Sequence, residues 1–443
     1  MCDTFTIPPE RSQTGRRIFA KNSDREPNEP QDILSVPRQA VIGGHLRLRS
    51  LHIPHVEETH AVILSKPFHM WGAEMGVNEH GLAIGNEAVF TRVGHARKDD
   101  GMTGMEMLRM ALESCRTAVQ ALDRIRSLVE SYGQDACGGY RDRGFYYDNS
   151  FLITDPVDAF ILETAGRHWV YRTAKGFQSI SNRLTIDSEW DGISEHAIDF
   201  AHRRGWNTRG RPFSFSEAFS SPLMSRLAMA TQRRTACMNL ATLRSGREGL
   251  GLQDAFSILR SHATEKFSPH KGGMDSLCLH ASGILTPSQT TASMVAELAP
   301  SSFSTVWLSG SSAPCLSLFK PFFTDAWQPS ESPSNPSTSA PNDSHWWRWE
   351  EWHRMALRRY PAARRLWQDQ VEPLEREWTE LASQAGSWDC ARRRSFSREA
   401  LVRSDSLVVS MKERLRNSDR SSVGWLYGLK WRLLDRQAGF RAP

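Results

Sequence analysis

The second residue of the chain is a cysteine, and its position gives it distinctive chemistry. Loss of Met1 through cleavage of one peptide bond would leave Cys2 with both a thiol and a free α-amine. A thiol is nucleophilic as the thiolate, and an amine that titrates near pH ~8 can accept its proton. This combination is a known way to activate a nucleophile at a chain terminus. A chain end is also often disordered and without a role, so neighbouring residues must decide between the two interpretations.

A group of charged residues follows at 21–25, with the sequence KNSDR. Residues 4–7 and 17–22 alternate in polarity and are separated by Gly15, which predicts an antiparallel hairpin. This hairpin would return Lys21 and Asp24 to the N-terminus. Lys21 would favour a thiolate, and Asp24 would hold an ammonium or orient the amine. A charged turn in solvent is the alternative.

Three further polar residues end predicted strands, where a sheet could present them to a cleft. Asn86 and Glu87 close a strand that follows a glycine-rich hairpin, and an edge strand turning into solvent is an equal alternative. Asn182 ends a short strand at 177–182, and its amide could donate to a developing oxyanion. A turn-forming asparagine is the commoner case.

The elements expected around these residues alternate between strands and helices. Thr103 and Glu106 form a capping-box pattern at the start of a helix, and a second helix is predicted over 118–132. Further helices are predicted around 223–243 and 252–262. Strands are predicted at 61–65, 71–76, 82–89, 149–154, 159–164, 169–171, 290–298 and 305–308. The order is typical of a layered α+β domain of antiparallel sheets covered by helices.

A change in composition divides the chain into three parts. Residues 1–327 are predicted to form the α+β domain, and the Pro- and Ser-rich segment 328–343 is predicted to be a linker. Residues 344–443 are predicted to form a Trp- and Arg-rich helical tail docked on that domain. A membrane-surface helix is the alternative, but interspersed Glu and Asp argue against it.

Bulk properties exclude several classes of protein. Hydrophobic residues are 39% and charged residues 24% of the chain, and the net charge of +5 favours neither nucleic acid nor membrane partners. The seven cysteines are widely spaced without a CxxC motif, which suits free thiols in a reducing, cytoplasmic compartment. No secretory signal or membrane-spanning run is predicted. His270 and His280 flank Cys278 without a paired ligand motif, so no metal site is predicted.

Several long motifs together resemble the secernins, a subfamily of the C69 peptidases, which are N-terminal nucleophile hydrolases typified by bacterial dipeptidases. The motifs are CDTF, KNSDR, WGAEMGVNEHGLAIGNEAV, QTTASMV and WLSGSSAPCLSLFKPFF, and a further match begins at His345. The resemblance runs from Cys2 to about Phe323 and implies a four-layer αββα sandwich with a C-terminal helical extension. It also brings in the more distant choloylglycine hydrolases and penicillin V acylases.

The resemblance also suggests roles for particular residues. Those distant relatives follow their Cys nucleophile with an Arg-Asn-x-Asp turn, where this chain has Lys21 and so loses the planar guanidinium fork. Asn182 falls where they place an oxyanion asparagine, and Asn86 lies near a further oxyanion donor without matching its register cleanly. Arg234 is chosen for their late active-site arginine, although Arg226 or Arg233 would serve equally.

These observations predict a cysteine hydrolase that cleaves amide bonds in small peptides, most simply a dipeptidase, with Cys2 as nucleophile. The predicted catalytic residues are Cys2, Lys21, Asp24 and Asn182, and the predicted substrate contacts are Asn86, Glu87 and Arg234. No metal or organic cofactor is predicted, and assembly into a homo-oligomer stays open. The alternatives are an acylase for N-acyl amino acids and a non-enzymatic secernin-like protein of secretion that binds partners through its Trp-rich tail.

Overall fold

The structure, a computed structural model, describes residues 1–49, 51–206, 211–222, 228–246, 248–283, 286–300, 302–326 and 336–440. Its strands are β1 (Cys2–Ile7), β2 (Arg17–Arg25), β3 (Gln31–Val36), β4 (Gln39–Ala40), β5 (His45–Leu48), β6 (Leu51–Pro54), β7 (Glu58–Thr59), β8 (Val62–Pro67), β9 (Met75–Asn78), β10 (Ala83–Val89), β11 (Asp148–Thr154), β12 (Ala159–Ala165), β13 (His168–Thr173), β14 (Gln178–Ile180), β15 (Gly192–Ile193), β16 (Gln289–Leu298), β17 (Thr305–Leu308) and β18 (Lys320–Phe323). Its helices are α1 (Gly104–Ser114), α2 (Ala118–Tyr132), α3 (Ala197–Arg203), α4 (Phe215–Phe219), α5 (Ala230–Arg244), α6 (Leu252–Leu259), α7 (His345–Leu357), α8 (Tyr360–Ser383), α9 (Cys390–Arg416) and α10 (Trp425–Ala438).

Two large antiparallel sheets organise these elements. The first sheet has the order β14-β1-β2-β16-β17-β18, and the second has the order β15-β13-β12-β11-β10-β9-β8-β3. Apolar side chains from both sheets meet in one buried cluster, which includes Phe19 and Met294 from the first and Met75 and Ile161 from the second. The two sheets therefore pack face to face.

Helices cover the outer face of each sheet. The cluster outside the second sheet contains Leu112 of α1 and Ile125 of α2. The cluster outside the first sheet contains Cys237 of α5 and Phe256 of α6. The layers are thus helix, sheet, sheet, helix, and the predicted four-layer αββα sandwich is confirmed.

Local sequence signals place the helices and hairpins that were predicted. The side chain of Thr103 accepts from the backbone of Glu106 and the reciprocal bond is present, so the capping box at α1 is confirmed. In the turn before β10, the side-chain oxygen of Asn78 accepts from two backbone N–H groups, and Gly81 adopts φ +79°. Residues 71–74 were predicted to be strand but precede β9, which begins at Met75.

The described part of the predicted helical tail, residues 344–440, contains four α-helices, α7 to α10. Trp349 and Trp352 of α7 lie in the same buried cluster as Phe5 and Trp307 of the first sheet. The indole of Trp352 donates to the carbonyl of Leu316 at 2.9 Å. These helices therefore complete the outer layer over the first sheet. Of the predicted linker, residues 328–335 lie outside the described part of the chain.

None of the helices in the described ranges combines the length and the apolar character needed to cross a bilayer.

A tryptophan pair tests how much the C-terminal helices contribute to stability. We expect Trp352→Ala to lower the free energy of unfolding by about 3–5 kcal/mol, because Trp352 is only 1% exposed and fills the shared core. Trp425→Ala is the matched control, since its side chain is 74% exposed. Urea unfolding of both full-length variants measures the difference, and equal losses would contradict the shared core.

Candidate active site

The hairpin of β1 and β2 fixes the position of Cys2. Cys2 lies opposite Ser23, and Thr4 lies opposite Lys21. Because side chains alternate along a strand, Cys2, Thr4 and Lys21 face the second sheet. Asp3 and Asn22 face the outer helices. The predicted hairpin is therefore present, and it brings Lys21 beside the N-terminal cysteine.

The ammonium of Lys21 is fully buried between the sheets and is surrounded by acceptors. Its Nζ lies 3.6 Å from Glu74 and 3.6 Å from Glu87, and it donates to the carbonyl of Asn86. The Cys2 thiol lies on the same face of the hairpin, two residues from the position opposite Lys21. Burial alone would lower the pKa of Lys21, but Cys2, Glu87 and Glu74 raise it overall. Lys21 is therefore a fixed positive charge beside the thiol.

Glu74 is held ionised by two cations. Its Oε1 accepts from Arg25 at 2.8 Å, and its Oε2 lies 3.9 Å from the Cys2 sulfur. Burial would raise the pKa of Glu74, but Arg25 and Lys21 lower it below its usual value. Arg25 is itself paired with Glu29. The sequence motif WGAEMG contains Glu74, but its role was not predicted.

Glu87 reaches the same space from the second sheet, whereas Asn86 does not. Gly85 and Glu87 lie on the face of β10 that is turned toward Lys21, because a Cβ added at Gly85 would lie 2.8 Å from the Lys21 side chain. Burial raises the pKa of Glu87 to about 8, against the opposing effect of Lys21, and its side chain also accepts from Thr4. The Asn86 side chain points the other way and donates to Asn149 at 3.0 Å. Asn86 therefore contacts Lys21 through its main-chain carbonyl oxygen and not through its side chain.

The thiol of Cys2 lies in an enclosed position while Met1 is attached. Its sulfur accepts from the backbone N–H of Asp24 at 3.4 Å, and the residue is 5% exposed. Burial raises the pKa of the Cys2 thiol to about 12, with Lys21 opposing the rise and Glu87 and Glu74 adding to it. Before Met1 is removed, the sulfur is therefore a protonated thiol at neutral pH.

Asn182 and Arg233 hold the main chain at Cys2. The backbone N–H of Cys2 donates to Oδ1 of Asn182 at 2.8 Å, and Arg233 donates to the same oxygen at 2.5 Å. The amide nitrogen of Asn182 donates to the carbonyl of Ala88 at 2.8 Å. In this form of the chain, Asn182 presents its oxygen to Cys2, rather than the amide donor that was predicted to stabilise an oxyanion.

Arg233, rather than Arg234, contacts the residues around Cys2. Arg233 is fully buried and pairs with Asp3 at 2.9 Å. Arg234 donates to the carbonyl of Ser179 at 2.8 Å. Neighbouring residues on a helix point about 100° apart, so only one of them can face the site. Arg226, the other alternative, lies outside the described residues.

Asp24 approaches Cys2 through its backbone more than through its side chain. Its carbonyl accepts from the α-ammonium of Met1 at 2.8 Å. One carboxylate oxygen accepts from Thr290 at 2.6 Å, and the other is buried without a hydrogen-bond partner among the described residues. Burial raises the pKa of Asp24, and the Met1 ammonium opposes that rise.

The two glutamates beside Lys21 should respond differently to neutralisation. Near pH 5, Glu74→Gln removes an ionised partner of two buried cations, and we expect a loss of about 3–5 kcal/mol in the free energy of unfolding. Glu87→Gln replaces a protonated carboxyl with a neutral amide of similar shape, so we expect a change within about 1 kcal/mol. Urea unfolding of the two variants measures both, and the reverse order would contradict the assigned charges.

The stability contributed by Glu87 should also depend on pH. Its pKa rises from 4.5 to about 8 on folding, so the folded chain keeps a proton that the unfolded chain releases between these values. This contribution is complete below pH 4.5 and is lost as pH rises through 8. We therefore expect Glu87→Gln to gain stability relative to the native chain across this window. Parallel pH dependence of the two proteins in urea unfolding would contradict the assignment.

Comparison with known proteins gives one family match and several structural ones. The model of a family described as acyl-coenzyme A:6-aminopenicillanic acid acyl-transferase matches residues 11–138. A conjugated bile acid hydrolase from Clostridium perfringens is 11% identical with a TM-score of 0.41, over 69% of this chain and 88% of that one. Penicillin V acylase from Agrobacterium tumefaciens is 12% identical with a TM-score of 0.41, over 73% and 86%.

A Caenorhabditis elegans N-acylethanolamine-hydrolyzing acid amidase ortholog is 9% identical with a TM-score of 0.34, over 67% of this chain and 92% of that one. All three TM-scores are below 0.5. The layer order is therefore assigned from the strands and helices of this chain alone. That order is the predicted four-layer αββα sandwich. The assignment to the secernins and the C69 peptidases stays a prediction.

Proposed function

We propose that the chain is a cysteine N-terminal nucleophile hydrolase of the secernin and C69 type, which cleaves the amide bond of small peptides, most simply dipeptides. The observation that carries this proposal is the position of Cys2. Its sulfur lies on the same buried face of the β1–β2 hairpin as the Lys21 ammonium, and its nitrogen is held by Asn182. Nucleophile, base and fixed positive charge then lie together at one end of this hairpin.

Removal of Met1 turns the Cys2 nitrogen from an amide into a basic amine. Asn182 Oδ1, oriented by Arg233, accepts a hydrogen from that amine and leaves its lone pair for the thiol proton. Lys21 lowers the energy of the resulting thiolate. The amine therefore acts as the general base, and Asn182 and Arg233 act as positioning residues.

The proposed reaction proceeds through an acyl-enzyme. The thiolate attacks the amide carbon, and the oxyanion that forms is stabilised by a hydrogen-bond donor beside the sulfur, the backbone N–H of Asp24. The Cys2 ammonium protonates the leaving nitrogen, and the C–N bond breaks. Water, deprotonated by the same amine, then attacks the thioester and regenerates the thiol.

The surroundings of Met1 favour a substrate with a free ammonium. Met1 places its ammonium on the carbonyl of Asp24, next to the unpaired carboxylate oxygen of the same residue. A dipeptide bound in the space that Met1 vacates could place its own ammonium there. An N-acylated substrate has no such charge and would leave that carboxylate oxygen of Asp24 without a partner.

The family match supports a second candidate function. The matched model describes an acyl-transferase and covers the chain from β2 to α2, a range that contains Lys21, Glu74 and Glu87. An acylase for N-acyl amino acids or related amides would use the same nucleophile on a different leaving group. Hydrolysis rates on matched dipeptides and N-acyl amino acids separate the two candidates.

The proposal predicts both processing and activity. We expect the intact mass of the purified protein to show loss of Met1, and N-terminal sequencing to begin at Cys2. Cys2→Ala should reduce kcat/KM for dipeptides by at least about 10³-fold, because the nucleophile is removed. Cys390→Ser is the matched control, since this partly exposed thiol begins α9 and donates to the carbonyl of Asp325.

Two outcomes would overturn this mechanism: Met1 retained in active protein, or full activity in Cys2→Ala. A Cys2 that stays inert toward thiol-reactive amides, together with a stable partner bound through residues 344–443, would instead support the non-enzymatic alternative.

A further inference from the structure

Four side chains with metal-binding chemistry meet at a second place in the molecule, away from the Cys2 thiol. They are His262, Cys278, His280 and Cys315, and one ligand atom from each lies within 4.8 Å of all the others. His262 follows α6, Cys278 and His280 precede β16, and Cys315 lies between β17 and β18. The fold therefore assembles from three segments a set that no short sequence motif contains.

We propose that these four side chains bind one Zn²⁺ ion as a structural site. Zinc prefers four tetrahedral ligands, and two Cys with two His is one of its common structural sets. Metal–sulfur bonds of ~2.3 Å and metal–nitrogen bonds of ~2.0 Å place neighbouring ligand atoms ~3.3–3.8 Å apart. The His280 Nε2 atom lies 3.6 Å from the Cys278 sulfur and 3.3 Å from the Cys315 sulfur, within that range.

The surroundings of the cluster suit a neutral metal site. Cys278, His280 and Cys315 are all buried, and two thiolates would neutralise the charge of one Zn²⁺. The buried Nε2 atom of His262 has no hydrogen-bond partner among the described residues. The hydroxyl of Tyr360 lies 3.7 Å from the Cys315 sulfur, where it can donate to a metal-bound thiolate.

Four protein ligands leave no position open for a substrate, so the ion would support the fold rather than the chemistry. It would link the segment after α6 to the β17–β18 loop and, through Tyr360, to α8. Hydrogen bonds also link the ligand segment to the active site. The backbone N–H of Leu279 donates to the Thr290 hydroxyl at 3.0 Å, and this hydroxyl donates to Asp24 at 2.6 Å. Zinc would therefore keep the Asp24 segment in position beside Cys2.

Metal analysis of the full-length protein tests the proposal directly. We expect about one zinc per chain by elemental analysis after exhaustive dialysis, and an X-ray absorption spectrum with two sulfur and two nitrogen ligands. Replacement by Co²⁺ should give the visible bands of a tetrahedral site with thiolate charge transfer. Cys278→Ser and Cys315→Ser should each reduce bound zinc at least about tenfold. Cys115→Ser, which changes a buried thiol outside the cluster, should leave it unchanged.

If the cysteine variants fail to fold, the zinc content and the Co²⁺ spectrum of the unmodified protein still test the site. Protein expressed with added zinc that contains none, and that gives no tetrahedral Co²⁺ spectrum, would overturn it. A Cys278–Cys315 disulfide found by mass spectrometry under non-reducing conditions would also overturn it. Zinc bound with unchanged stoichiometry in both cysteine variants would place the ion elsewhere and reject this site.

Discussion

Burial of the Lys21 ammonium between the two sheets is the constraint on which the rest of the site depends. A buried ammonium is costly unless acceptors surround it, and the second sheet supplies Glu74, Glu87 and the carbonyl of Asn86. The sheets must therefore pack at the distance that the lysine side chain spans. Gly85 provides the room, since a side chain at that position would collide with Lys21. One charge thus couples the sheet packing to the environment of Cys2.

The two glutamates beside Lys21 differ in their ionisation at neutral pH. Arg25 and Lys21 keep Glu74 ionised, whereas burial leaves Glu87 protonated at neutral pH. Asp3 is paired with Arg233 on the opposite face of β1. Of the two glutamates beside Lys21, only Glu74 is therefore ionised, and it contacts both Lys21 and Arg25. Lys21 opposes the rise in the pKa of the Cys2 thiol, so it is the side chain that would stabilise a thiolate there.

The sequence predicted the parts of the fold that local patterns encode. The β1–β2 hairpin, the capping box of α1 and the extent of α2 all depend on residues within one short segment. The contacts of Glu74 and Arg233 with Cys2 join residues 72 and 231 positions apart, and no local pattern records such a contact. The alternation of side chains along β10 could have shown that Glu87 and Asn86 face opposite sides of the sheet. Ala83 and Gly85 lie on the same face as Glu87, the face turned toward the first sheet. The choice between Arg233 and Arg234 needed the orientation of α5.

The C-terminal helices bear on the choice between an enzyme and a non-enzymatic binding protein. Their tryptophans, together with the Pro- and Ser-rich linker, were the reason to consider a partner surface, but several of these tryptophans are buried against the main domain. Trp346 donates to the carbonyl of Thr291, Trp352 to Leu316 and Trp367 to Ser317. These carbonyls belong to β16 and the β17–β18 loop, which support Asp24 and contain Cys315. Core packing therefore explains these tryptophans, whereas Trp425 of α10 stays exposed.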